Sequence, residues 1–426
     1  MSATHSGFGQ IVTVGEPRLL AGLDADHPTA NLARHRQVHG NVTAAANREQ
    51  LRRELEAAGL RGRGGAGFPT HIKVASLGKR RSPVVVVNAS EGEPLSRKDA
   101  VIMARVPHLM LDGAIGVALA IDADRVIVYL HDDRAEAYTQ MQRAVAERSD
   151  TVSIEIKAGP ARYIAGEASA AVAFLSGGAA LPTRKPPQPT EKGVGGRPTF
   201  ISNAETFAHI ALILRSGAAW FRSIGVASDP GTMLLTVSDG STHIVVEAPT
   251  GTPITHVVEG VGASLDRSSA VLLGGYAGTW ATPHTLAART LDRDVLAKDG
   301  LSLGVGQIAL LPTEACYLRE TASLTRWLAG ETAGQCGPCV HGLPDIASMM
   351  HRIATSATRT EDTDTLLRWA DLVDGRGACG HPGGVSRLVR SAIALSPEHL
   401  HQHHLGGCRV TAPVFPIPMA LAAVSR

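Results

Sequence analysis

Apolar and polar positions alternate along this chain in blocks whose period changes, and the changes predict its elements. Residues 1 to 45 carry little periodicity and read as an irregular arm. Helical spacing of apolar residues predicts a helix over Ala44–Ala58, which runs into a glycine-rich loop. The run Val84–Val87 then predicts a strand, Ala100–Ala120 a long helix and Arg125–Leu130 a second strand, with helix and strand alternating to about Ile156. Such alternation points to an α/β fold with a parallel sheet. Gly166–Leu175 and Glu205–Arg215 read as helices, separated by the Pro-, Gly- and Lys-rich stretch Leu181–Pro198, which excludes regular structure and reads as a functional loop.

From Thr232 the pattern shifts to strands about an Asp239-Gly240 turn, a short helix after Pro253, and strands at Ala270–Leu273 and Gln307–Leu311. After Glu314 helical periods dominate, with helices expected at Ala322–Leu328, Asp345–Ala354, Asp362–Val373 and Val385–Leu395, enough for a terminal bundle. The expected division is therefore an arm at 1–45, an α/β domain at 46–231, a small β-rich domain at 232–313 and a helical bundle at 314–426.

Composition narrows the function classes. A chain of 426 residues that is 44% hydrophobic can bury more than one core. Its formal net charge of +2 leaves no electrostatic footprint for nucleic acid. The apolar stretches are interrupted by charges or prolines, so no membrane span is expected, and the first ten residues lack a secretory pattern. The reading is cytoplasmic, at most peripheral to a membrane complex. Five clustered cysteines are too few for a disulfide framework and suit a metal or redox role.

Candidate chemistry begins at Arg61–Thr70, RGRGGAGFPT. Its G-x-G-x-x-G follows a helix, whereas a Rossmann fingerprint follows a strand and opens a helix. What remains is a backbone free to turn its amides on an anion, with Arg61, Arg63 and Lys73 as charges, which suits a phosphate-bearing cofactor. The strand Val84–Val87 ends in a polar cluster, Asn88–Pro94, a second loop placed to face the same guest.

Together with Tyr163–Ala170, the Lys185–Pro189 loop and Ile201–Thr206, these segments resemble the NADH-binding flavoprotein of respiratory complex I and its relatives in NAD-dependent hydrogenases and formate dehydrogenases. The resemblance covers nearly the whole chain. It implies FMN contacts at Gly62, Arg63, Gly64, Gly65, Lys73, Asn88, Glu91, Gly166, Glu167, Asn203 and Thr206, with Ser90 and Ser202 replacing an Asp and an Asn but still able to hydrogen-bond. It also implies that residues 232–313 form a soluble-ligand-binding β-grasp domain. For NADH it implies contacts at Phe68, Glu93 and Tyr163, while Ser76, Ala168 and Gln188 stand where the family has an aromatic, a glutamate and a phenylalanine. Loss of two stacking platforms, at about 1–3 kcal/mol per base, would weaken nucleotide binding strongly.

Cys336-Gly-Pro-Cys339 is a C-x-x-C knuckle, and Cys379 follows across the helical segment, a pattern able to clasp iron or zinc. By resemblance the three thiols hold a 4Fe-4S cluster whose first cysteine is replaced by Ala333, leaving Cys408, His341, His381 or an outside group to complete it, or a 3Fe-4S form. The run His399–Cys408 reads as a solvated helix end and Cys316 as a buried core thiol. The implied function is NADH oxidation through FMN, with single electrons passed to the cluster and on to a 2Fe-2S thioredoxin-like subunit, a ferredoxin or a membrane reductase. Two alternatives stay open: an FMN protein exchanging electrons with ferredoxin-like partners without NADH, and a non-catalytic assembly protein.

Overall fold

Val84–Asn88 and Arg125–His131 form the centre of a four-stranded parallel sheet, flanked by Ser153–Gly159 on one side and Thr199–Asn203 on the other. The fold is that of a computed structural model, which describes residues 10–42, 45–78, 81–355, 357–406, 408, 410 and 412–418. Strand alternation sorts the valines by face: Val85 and Val87 pack into the main helical core, while Val84 and Val86 meet Ala171, Val172 and Phe174 on the opposite face. The chain moves outward from the Val84 strand and returns on its other side. Strand order therefore reverses between Asn88 and Asn203, which are paired in register. A crevice at the carboxyl ends of such strands is where open α/β sheets take ligands.

The expected long helix over Ala100–Ala120 is two helices, Lys98–Arg105 and Pro107–Ala120, bent by 93°. Pro107 has no amide hydrogen to continue the first helix, and its fixed φ starts the second. Pro107–Ala120 lies close against Ala204–Phe221 because Gly113 has no side chain; a β-carbon there would overlap the Phe207 carbonyl. Among the described residues no single helix is long and apolar enough to cross a membrane.

A second sheet has six strands, ordered Gln10–Thr13, Thr242–Pro249, Thr232–Asp239, Gln307–Pro312, Ser268–Leu273 and Thr279–Ala281. The hairpin turns at Gly240, whose φ of 59° suits glycine. Helix Ile254–Gly260 and strand Ser268–Leu273 follow, and the last long strand, Gln307–Pro312, inserts parallel to the first strand of the hairpin. The amino-terminal segment differs from the irregular arm expected. Gln10–Thr13 is an edge strand on Thr242–Pro249, and Leu32–His39 is a helix. Buried Glu247 fastens the segment by accepting the amides of Arg18, Leu19 and Leu20 at 2.9, 2.7 and 2.9 Å.

One face of this sheet carries Val271, Leu273, Ile308 and Leu310 into its own small core. The other carries Ala270, Leu272, Ala309 and Leu311 into a core shared with the carboxyl-terminal helices. Those helices are Tyr317–Gly330, Leu343–Thr355, Thr360–Val373, His381–Leu395 and Pro397–His404, the last beyond the four expected.

Candidate functional site: a cavity at the strand ends

The loops after Asn88 and Gly159, with Asn203 at the junction of its strand and the following helix, line a cavity of about 300 Å³ at the crevice where strand order reverses. Of the flavin residues expected from sequence, Gly64, Asn88, Ser90, Glu91, Gly166, Glu167 and Asn203 line it. So do Glu93 and Tyr163, expected at the nicotinamide, and Cys379, expected at the cluster. Residues read as three separate sites thus meet in one space.

The walls close tightly because two glycines lack side chains. A β-carbon on Gly64 would stand 3.1 Å from that of Asn203, and one on Gly166 would stand 3.2 Å from the Ser90 carbonyl oxygen. The Asn88 side-chain amide donates to the Gly166 carbonyl at 2.9 Å, and the Ser90 hydroxyl donates back to Asn88. Glu91 accepts the amides of Asp99 and Ala100 at 3.1 and 3.2 Å, capping the start of Lys98–Arg105.

A buried ion network that sequence reading missed underlies the floor. Lys98 reaches Asp99 and Glu205 at 3.0 Å each and the Asn203 side-chain oxygen at 3.2 Å. The Glu205 oxygen that does not bind Lys98 accepts the Leu234 amide at 2.8 Å, which joins the cavity to the second sheet. Burial alone would lower the Lys98 pKa, but the carboxylates of Asp99, Glu205 and Glu91 raise it, so the ammonium stays charged. Burial pushes Asp99 up to about 6 against the pull of Lys98. The available signal was a Lys-Asp pair opening an apolar helix directly after a strand-end loop.

Several expected contacts lie elsewhere. Arg63 carries no free charge to the cavity: its guanidinium pairs with buried Asp229 at 2.8 Å and donates to the Pro230 carbonyl at 3.1 Å, while its amide donates to Thr206 at 2.9 Å. Asp229 sits between Arg63 and Arg293 and could not be buried without such countercharge. Gly62, Gly65 and Ser202 also fall outside the lining. Lys73 donates to the Ile201 carbonyl at 3.1 Å; burial and the neighbouring Lys185 charge bring its pKa down to about 8. Phe68 points outward, 45% exposed. Glu167 caps helix Ala168–Leu175 and pairs with Lys185 at 2.7 Å, which holds its pKa low against burial.

At the other wall, burial lifts the Glu93 pKa to about 7, although its oxygens accept the Tyr276 amide at 2.9 Å and the Tyr163 hydroxyl at 3.2 Å. Arg387 and His381 face the same space, and sequence reading gave Arg387 no role. The His381 Nε2 meets the Leu328 carbonyl at 2.8 Å, while its Nδ1 is buried without a partner among the described residues.

Cys336 and Cys339 lie on a tight turn at the head of Leu343–Thr355, and Cys379 lies just before His381–Leu395. Burial raises Cys339 to about 12, with the charges of Cys336 and Cys379 adding to it, so the three thiols sense one another. Cys336 is held below its usual range although burial opposes this, because the Ala378 and Cys339 amides face its sulfur. Amides aimed at sulfur suit a cluster thiolate. Cys408 is not with them. It groups with Cys316, His399 and His403: Cys316 is buried in the core as expected but has these three beside it, and this part of the histidine run is no solvated end. Exposed His341 and buried His381 remain nearest in sequence to the three thiols.

Residues 55–212 match the family described as Nuo51 FMN-binding domain, and residues 319–403 the NADH-ubiquinone oxidoreductase-F iron-sulfur binding region. An NADH-quinone oxidoreductase component of Rhodobacter capsulatus is 30% identical over 365 residues, covering 80% of this chain and 85% of that protein. Two solved structures of NAD+-reducing [NiFe]-hydrogenase are similar. The air-oxidized state aligns with TM-score 0.80 and 30% identity over 96% of this chain and 70% of that one. The H2-reduced state aligns with TM-score 0.76 and 29% identity over 87% of this chain, which spans 65% of the hydrogenase chain.

Proposed function

The chain belongs to the 51 kDa-type flavoprotein family of NADH-quinone oxidoreductases, and from that premise we propose that it oxidises NADH at the strand-end cavity and delivers electrons singly through the three-cysteine centre. One observation carries the reading: Cys379 and seven expected flavin residues line the same cavity. When bound, FMN would take up a hydride and release its electrons one at a time.

The residues present fit that group. Gly64 and Gly166 leave a narrow cradle that a β-carbon would crowd, and polar atoms of Asn88, Ser90 and Asn203 converge on it. Lys98 would hold Asn203 and Asp99 in place from below, and Glu93 with Tyr163 would orient the nicotinamide. Cys336, Cys339 and Cys379 would hold the iron-sulfur cluster, with the Ala378 and Cys339 amides favouring the Cys336 thiolate. The hairpin, helix and inserted parallel strand of the second sheet support a β-grasp domain at 232–313. Electrons would leave through a 2Fe-2S thioredoxin-like subunit, a ferredoxin or a membrane reductase.

A second reading, a flavin fed by a ferredoxin-like donor, is favoured by outward-facing Phe68 and by Tyr163 being, among the described residues, the lone aromatic on the cavity wall apart from His381. An anaerobic absorption spectrum before and after NADH decides between them. Flavin bands bleached by NADH support oxidation of NADH, flavin bands indifferent to it support the second reading, and absence of flavin bands overturns both.

A further inference from the structure

Cys316, His399, His403 and Cys408 bring one ligand atom each to within 4.8 Å of one another, on elements separate from the cavity. We propose that these four side chains form a structural zinc site that pins the carboxyl-terminal segment to the helical bundle. Two thiolates and two imidazoles are a donor set zinc takes in closed tetrahedral sites. Bonds of about 2.3 Å to sulfur and about 2.0 Å to nitrogen put the edges of such a tetrahedron at roughly 3.3–3.8 Å. Both histidines present Nε2 to the Cys316 sulfur at 3.2 Å, so the atoms stand near that spacing already.

Three of the four ligands have neighbours placed to hold them, as metal ligands usually do. Cys316 caps helix Tyr317–Gly330, and the Leu318 and Arg319 amides face its sulfur. The Tyr317 ring packs against that of His399 with centroids 5.2 Å apart, Gln402 lies beside the same ring, and the Ile353 and Ala354 backbone lies beside that of His403. His399 and His403 lie one turn apart on Pro397–His404, which aims both rings one way. His404, adjacent in sequence, is committed instead to Thr358 and Thr363 at 3.0 and 3.3 Å.

The site sits where it can hold the tail. Beyond Cys408, the Val414 and Phe415 amides donate to Glu320, Phe415 stacks on Trp280 with ring centroids 6.1 Å apart, and the Pro416 carbonyl accepts the Tyr276 hydroxyl at 2.6 Å. Zinc at Cys408 would fix the start of this segment to the start of the helix that bears Glu320.

The test is metal content of the full chain purified without added metal, with the exposed His401 as control. Wild type and His401→Ala should each hold about one zinc per chain, while Cys408→Ala and His399→Ala hold almost none and keep their iron. Cobalt exchanged into the wild type should give the visible d–d bands of a tetrahedral sulfur-nitrogen site, a readout that stands if one variant folds poorly. Zinc in Cys408→Ala or His399→Ala equal to wild type, loss of zinc in His401→Ala, absence of the cobalt bands, or a Cys316–Cys408 disulfide by mass spectrometry overturns the proposal.

Discussion

The two thiol groups of this chain differ in spacing and company. Cys316 and Cys408 converge with two imidazoles within 4.8 Å, a space for one ion. Cys336, Cys339 and Cys379 form no such four-ligand group with imidazoles among the described residues; they influence one another, and backbone amides rather than imidazoles face Cys336. A cubane is several ångströms across and keeps its thiolates apart, whereas a single ion draws them together. The first group borders the tail, and the second reaches the cavity through Cys379. The company a thiol keeps, two imidazoles or backbone amides, separates a staple from a relay.

The largest expected effect comes from Cys336→Ser, which should abolish broad iron-sulfur absorbance and most iron while leaving zinc untouched; unchanged iron would break the assignment. Next is Lys98→Met, which leaves buried carboxylates unpaired beneath the cavity and should cost about 3–5 kcal/mol in stability. Denaturant melts and flavin content would both register it, and retention of full flavin would separate the network from the cavity floor. A smaller effect is expected from chelation of the zinc site: a drop in Tm of about 5 °C with faster proteolysis near residue 412 and an unchanged flavin spectrum.

The smallest prediction uses a glutamate in each region. Burial raises Glu93 on the cavity wall and Glu320 beneath the tail to about 7 each, from an ordinary value of 4.5. The folded chain therefore keeps protons that the unfolded chain releases from about pH 4.5, so stability falls as pH rises from about 4.5 to about 7 and levels off above. Glu93→Gln and Glu320→Gln should each flatten that slope by about 3 °C in Tm. A slope unaffected by either variant would show that neither carboxyl stays protonated on folding.

Legibility followed the range of the interaction. The strand of four consecutive valines, Val84–Val87, announced itself, as did the turn at Asp239-Gly240. The break at Pro107 was present in the sequence but was outweighed by the apolar run around it. Gln10–Thr13 was invisible because four residues carry no measurable period and their partners lie at 244–247. In the site, motif residues after Asn88 and at Cys336 could be read locally. Arg63 could not, since its fate depends on Asp229, and Cys316 could not, since its three companions begin at His399. The replacement of family aromatics at Ser76 and Gln188 was legible; where Phe68 would point was not.

Glu205 opens the helix beside the cavity, with one oxygen on Lys98 and the other on the Leu234 amide. Its two oxygens work as a fixed ruler between the sheets: any rearrangement that reshapes the cavity floor must be transmitted to the strand that starts at Thr232, or be refused by it. Shortened by one methylene, Glu205→Asp could reach only one of these partners, and the molecule would have to choose between an intact floor and an intact seam.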